Sequence, residues 1–414
     1  MSIDITTLAR SLDGAGEVRP AQDTDTVDGV TAAAVARPTS VEATSALLRE
    51  ATGQGLVTVA RGAGTALTWG VPPERVDLIL DTRGLDRLVE HEAGDLVVVA
   101  EAGLALKDLQ EEVGRAGQEL VADVPRERLE AGSTIGGALA TAATGPRRLQ
   151  RLALRDLVLG TTVVLADGTV ATSGGKVVKN VAGYDLAKIM TGSYGTLGVI
   201  VRAAFRLHPV RPARRFVLRT APLAEAAELA RTVVASRLAP AAVEIDRPAG
   251  SDEATVAVLL EGTEEAVAAR AEETVALVGG EIGEPPSWWA RLPGGDVTAK
   301  ATATLTGVAD LLAAARSSEE RHGASVALRG SALGVLHAGL TAPAPDAVAG
   351  VLADLRAAAP SPREGTVVVL TAPAELRDGL DVWGPVAGLG LMRGIKEQLD
   401  PGRNLAPGRF VGGI

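Results

Sequence analysis

Three glycine-rich stretches carry the residues best suited to chemistry: Arg61-Gly62-Ala63-Gly64-Thr65-Ala66, Gly132-Ser133-Thr134-Ile135-Gly136-Gly137, and Gly192-Ser193-Tyr194-Gly195-Thr196-Leu197-Gly198-Val199-Ile200. Glycine has no Cβ, so backbone N–H groups can approach a ligand closely and φ can turn positive where the chain bends. Clustered N–H groups form a concavity for anions, and a negatively charged cofactor is their natural occupant. In the first stretch Arg61 stands at the mouth of a short turn and Thr65 offers a hydroxyl. The second opens a small-residue helix, whose unpaired N–H groups and dipole suit a diphosphate. A tight hairpin in an ordinary core, or a small-residue helix packed closely on a sheet, explains any one of them alone. Three in succession favour the ligand.

The elements that must hold these loops follow from periodicity. Ser40 reads as an N-cap for a helix over 41–52, closed by Gly53 and Gly55 and followed by a β-branched strand over 56–60 that delivers the first loop. A dinucleotide fingerprint of the Rossmann kind needs a third glycine near 67, where Leu67 stands, and a continuous helix that Pro72 and Pro73 forbid. Strands are expected over 77–81 and 95–100, a helix over 106–114, a helix over 138–144 after the second loop, and strands over 156–160 and 162–172 around an Asp167-Gly168 turn. Arg147, Arg148, Arg151 and Arg155 place guanidinium groups next in sequence to the second loop, as anion ligands or as an exposed charged turn.

Composition narrows the function classes. The 414 residues are 46% hydrophobic with a formal net charge of −10, enough for two or three domains and the wrong sign for a nucleic-acid or anionic-membrane face. The longest uncharged stretches are too short and too polar to span a bilayer, and the N-terminus lacks a signal-peptide core, so a cytoplasmic location is expected. With no cysteine, thiolate chemistry, disulfides and iron–sulfur ligation are excluded for this chain. The four histidines, His91, His208, His322 and His337, make no metal-binding pair along the sequence.

The order and separation of the three loops resemble the FAD-binding domain of the vanillyl-alcohol oxidase type, also called the p-cresol methylhydroxylase type, over about residues 35–210. The segment from Lys179-Asn180-Val181-Ala182-Gly183-Tyr184-Asp185-Leu186 to Gly192–Ile200 carries the most specific likeness. Within that family the chain most resembles E subunits of bacterial glycolate oxidases, through Gly145-Pro146-Arg147-Arg148, Arg155–Gly160 and the terminus from Ile395 to Arg409. The resemblance implies that Arg61, Gly62, Ala63, Gly64, Thr65 and Ala66 wrap the FAD pyrophosphate. It further implies that Gly132, Ser133, Thr134, Gly136 and Gly137 line the diphosphate and ring side, and that Gly198, Val199 and Ile200 touch the adenosine end. Members that attach flavin covalently use a His or Cys in these loops; neither is present here, which implies noncovalent FAD. The histidine-rich metal motif of relatives that oxidise D-2-hydroxy acids alone is absent, which implies an accessory subunit. The electrons of a 2-hydroxy acid would then leave through an iron–sulfur partner, and any membrane association would come through partner subunits.

The fold class implied is α+β: a two-part FAD-binding domain plus a C-terminal cap with an antiparallel sheet and helices on one face. Expected boundaries are 1–34 for an N-terminal segment, 35–210 for the FAD-binding domain, 211–384 for a cap of two β-α-β-β-α halves, and 385–414 for a closing helix and turn. Trp288-Trp289 reads as a pocket wall or interface, or as ordinary packing. The catalytic base cannot be named from sequence. The second reading is a structural or regulatory subunit that keeps the flavin fold, and an NAD-dependent dehydrogenase lacks its third glycine.

Overall fold

Ser40 accepts a hydrogen bond from the Ala43 N–H at 3.0 Å and starts the helix Val41–Gly53, which buries Val41, Leu47, Leu48 and Ala51. That helix is the crossover between parallel strands of a four-stranded sheet ordered Gly16–Pro20, Ala34–Pro38, Leu78–Asp81, Thr58–Arg61. The computed structural model describes residues 3–176, 185–359, 365–377 and 379–414. They divide into two compact units: residues Met1–Ala143, Ala153–Val210 and Gly388–Ile414 in the first, and Thr144–Leu152 with Arg211–Ala387 in the second.

The first unit has a second sheet, wholly antiparallel, ordered Val170–Gly174, Val158–Val164, Val199–Arg206, Val97–Glu101, Leu88–Glu92. One core joins the two sheets: Leu47, Leu48, Leu78 and Leu80 pack with Val164, Val199 and Val201. The closing helix Leu389–Leu399 is pinned by Lys396, whose Nζ donates to Thr196 O at 2.7 Å, Leu405 O at 2.9 Å and Asp400 Oδ2 at 2.6 Å. Beyond it the tail adds to the first sheet, with Thr58 N–H donating to Asn404 O at 2.7 Å and Ala406 N–H to Thr58 O at 3.0 Å.

Two local expectations are corrected, and the opening segment gains elements of its own. Within the N-terminal segment a helix Ile5–Ser11 and a strand Gly16–Pro20 paired to Ala34–Pro38 add to the elements expected from sequence, because Leu8 and Leu12 find the first core. The helix after the second loop is Ile135–Ala140, starting three residues before 138, because Thr134 caps it by accepting from Gly137 N–H at 3.3 Å. Of the strand expected over 156–160, residues 156 and 157 instead close the helical turn Leu154–Leu157, with the Asp156 carboxylate accepting from Ala153 N–H at 3.2 Å, and the strand begins at Val158.

In the second unit eight strands form one sheet, ordered Glu281–Gly283, Ala213–Pro222, Glu253–Gly262, Ala242–Arg247, Ser325–Ser331, Val335–Thr341, Val297–Thr302, Thr366–Thr371, with every pairing antiparallel. The helices Leu223–Ala235, Glu264–Val278, Val308–His322 and Pro345–Ala357 pack on one another and on one face of it. Trp289 meets Phe216 edge-on with centroids 4.8 Å apart, which makes it ordinary core.

Candidate FAD site

The first loop leaves the strand Thr58–Arg61 and bends at Gly64, whose φ of +78° is left-handed. Among the described residues no carbonyl takes the backbone N–H groups of Ala63, Gly64, Thr65 or Ala66. The far end of the loop is fixed from the chain terminus: Arg409 Nη2 donates to Ala66 O at 3.1 Å and Leu67 O at 2.7 Å. Gly62 is required for a different reason, because a Cβ there would lie 2.3 Å from Thr134 Oγ1. Absence of that atom lets the first loop sit against the cap of the helix Ile135–Ala140.

The second loop begins as the exit of the helix Arg126–Glu130. Gly132, at φ +81°, reverses the chain, and the N–H groups of Gly132 and Ser133 return to Leu129 O and Arg128 O at 3.0 and 2.9 Å. Gly136 packs against the 102 segment, where a Cβ would meet the Ala102 Cβ at 2.9 Å. Its N–H donates to Ala102 O at 2.7 Å.

Together these loops line a cleft of about 80 Å³ with Arg61, Gly62, Ala63, Gly64, Thr65, Ala66, Thr134 and Gly137 in its wall. Gly132, Ser133 and Gly136 stand behind that wall, shaping turn and packing; Ser133 is fully buried and its Oγ has no hydrogen-bond partner. Gly198, Val199 and Ile200 lie at the start of the central strand Val199–Arg206, where Val199 and Ile200 pair with Val164 and Val163. Pairing to Val97–Glu101 begins only at Arg202, which leaves the other backbone edge of residues 198–200 outside the ladder. Lys179 to Tyr184 fall outside the described residues.

The charge at the cleft comes from a residue that sequence reasoning passed over. Arg61 is held by two carboxylates, Asp25 at 3.1 Å and Asp81 at 3.6 Å, and hydrogen bonds from Arg19, the Gln22 N–H and Arg61 keep Asp25 well below the usual carboxylate range. Its positive charge is spent within the fold. Arg128 is 4% exposed, stacks over the Trp69 ring at 4.5 Å and donates to Thr141 Oγ1 at 3.2 Å, yet has no ion pair and leaves Nη1 without a partner. Burial pushes its pKa down to about 10, so it stays protonated at neutral pH. A buried, uncompensated guanidinium is costly unless an anion joins it. Tyr194, beside Arg128 and Arg409, closes the cleft as a neutral phenol, its pKa raised to about 12 by burial. Open N–H groups, an orphaned buried cation and a Cβ-free approach at Gly62 fit a diphosphate.

The same reading comes from comparison with known proteins. Residues 32–174 match the family model described as FAD binding domain. The chain carries an FAD-binding domain. The fold around it is that of p-cresol methylhydroxylase, whose substrate-bound structure aligns over 98% of this chain and 95% of that one at a TM-score of 0.74 and 16% identity. Over shorter stretches the chain is 35% identical to D-lactate dehydrogenase of Archaeoglobus fulgidus across 51% of its length and 46% of that protein's. It is 31% identical to glycolate oxidase subunit GlcD of Bacillus subtilis across 52% and 46%. It is 39% identical to glycolate oxidase subunit GlcE of Escherichia coli across 34% and 39%. The alignments thus span less than half the length of each of these relatives. The FAD-binding domain contains the first two glycine loops and Arg128, whereas Tyr194 and Arg409 reach the cleft from beyond it.

The arginines that the sequence sets after the second loop serve another purpose. Arg147 and Arg151 meet Glu261 at 3.6 and 2.8 Å, and Arg214 meets the same carboxylate at 2.9 Å, all within the second unit. The anion they hold is the chain's own.

Proposed function

We propose that this chain binds FAD noncovalently, its diphosphate on Arg128 and the Ala63–Ala66 N–H groups, and oxidises a small 2-hydroxy acid of the glycolate or D-lactate kind as one subunit of a larger oxidase. The observation that carries the cofactor part is Arg128, a buried cation lining the cleft that, among the described residues, makes no ion pair and leaves Nη1 without a hydrogen-bond partner. The substrate class rests on the relatives, which are named for D-lactate and glycolate oxidation. Noncovalent binding is supported by the absence of cysteine and by a cleft wall that contains no histidine. FAD, when bound, supplies the electron acceptor for hydride from the hydroxyl-bearing carbon. The protein's part is to hold the diphosphate and keep the loops rigid. With no cysteine for an iron–sulfur cluster, the chain would pass electrons to a partner that carries one.

The test is spectroscopic. Purified protein should show a flavin absorbance that moves to the supernatant on acid precipitation, and anaerobic glycolate or D-lactate should bleach it in the assembled complex. A chain that stays colourless after addition of FAD would leave the structural-subunit reading.

A further inference from the structure

On the sheet of the second unit, neighbouring strands place four chemistry-bearing residues in one row: Asp246 opposite Arg329, Arg329 opposite His337, and His337 opposite Lys300. Residues in register share a face, and the alternate positions, Ile245, Leu328, Leu336, Ala338, Ala299 and Ala301, are fully buried on the helix side. The row therefore lies on the helix-free face. At one end the charge is settled, since Arg329 Nε meets Asp246 Oδ1 at 2.7 Å and its guanidinium lies 5.7 Å from the Trp288 ring centroid. At the other end it is open. Burial, and then Arg148 from the helical turn Arg148–Arg151, disfavour the charge of Lys300. Among the described residues, the side chains of Lys300, His337 and Arg148 make no hydrogen bond and no ion pair, and all three are half-buried. A lysine opposite an imidazole in the sheet, with an arginine near the lysine and no carboxylate paired to any of them among the described residues, describes a site for an anion.

We infer that Lys300 and Arg148 bind the carboxylate of the substrate, with His337 beside them to accept a hydrogen bond from its hydroxyl. The inference rests on the 2-hydroxy-acid reading above. Burial and then the neighbouring Lys300 lower the His337 pKa to about 3, so the imidazole is neutral at working pH and free to accept. Arg147 and Arg151, committed to Glu261, fix the turn that presents Arg148, which makes them positioning residues.

The experiment is calorimetric titration of the full chain with oxalate, a two-carbon acid that cannot be oxidised at a hydroxyl carbon, and with glycolamide, which has the hydroxyl but no charge. Flavin content is read on every sample. Wild type should bind oxalate and ignore glycolamide. Lys300→Met and Arg148→Met should each weaken oxalate on the order of 10–100-fold, with flavin content unchanged, and Lys300→Arg should recover most of the loss. Unchanged oxalate affinity in both Met variants, or sulfate binding as tight as oxalate, would overturn the inference. The Arg148 variant keeps the test decisive should Lys300→Met fail to fold. A colourless chain that still binds oxalate through Lys300 would instead overturn the flavin reading and leave this site standing.

Discussion

At the scale of single residues, Arg128 is where the account is most exposed to test. Arg128→Met removes a buried cation of the cleft wall that makes no ion pair among the described residues, and FAD affinity should fall roughly 30-fold or more, measured by flavin fluorescence on reconstitution. Arg128→Lys should retain part of the affinity, because a point charge remains while the stack on Trp69 is lost. Gly62→Ala should displace Thr134 from its cap and cost about 1–2 kcal/mol in denaturant unfolding, with weaker flavin retention. His337 adds a pH signature: its folded pKa of about 3 lies below the ordinary value near 6.5, so the unfolded chain takes up the proton first. Stability from the neutral ring is full above about pH 6.5 and is lost as pH falls toward 3, with a slope of up to about 1.4 kcal/mol per pH unit that His337→Gln should flatten. The glycines were legible in the sequence because turns are local chemistry, whereas the cap that Thr134 gives the helix Ile135–Ala140 was missed. Arg128 was not legible, since within Arg126-Glu127-Arg128 it reads as one of several solvated charges, and only the tertiary fold buries it and sets Trp69 against it.

At the scale of elements, alternation and capping locate nearly every long strand and helix, and what they miss is set by distant partners. The strand Gly16–Pro20 has no strong pattern of its own and exists because Ala34–Pro38 offers it an edge. The arginines of the 147–151 turn look like ligands for a cofactor phosphate because their acid, Glu261, lies 110 residues away in sequence from Arg151. The closing helix is another long-range case, tied at Lys396 to Thr196 O across 200 residues. Asp400→Asn would leave the Lys396 ammonium buried without its carboxylate, at 5% exposure. A loss of about 3–5 kcal/mol is expected in equilibrium unfolding, together with loosening of the Tyr194 to Thr196 segment and weaker flavin binding.

For the whole molecule, an α+β chain whose residues 32–174 match an FAD binding domain, and which adds a separate antiparallel sheet, keeps two features apart: the first unit holds the cleft lined by the first glycine loop, and the second carries the row around Lys300. Among the described residues no helix is long and apolar enough to cross a membrane, and no group of His, Cys, Asp and Glu could hold a metal ion. The central claim is that the cleft walled by Arg128 and the first glycine loop binds FAD without a covalent bond. The measurement that tests it most directly is the visible spectrum of purified wild type and Arg128→Met after incubation with FAD and removal of the free cofactor, read again on the acid supernatant. Wild type should show a flavin band that leaves with the supernatant, and the folded variant should lack it. Flavin retained equally by both proteins, or by neither, would contradict it.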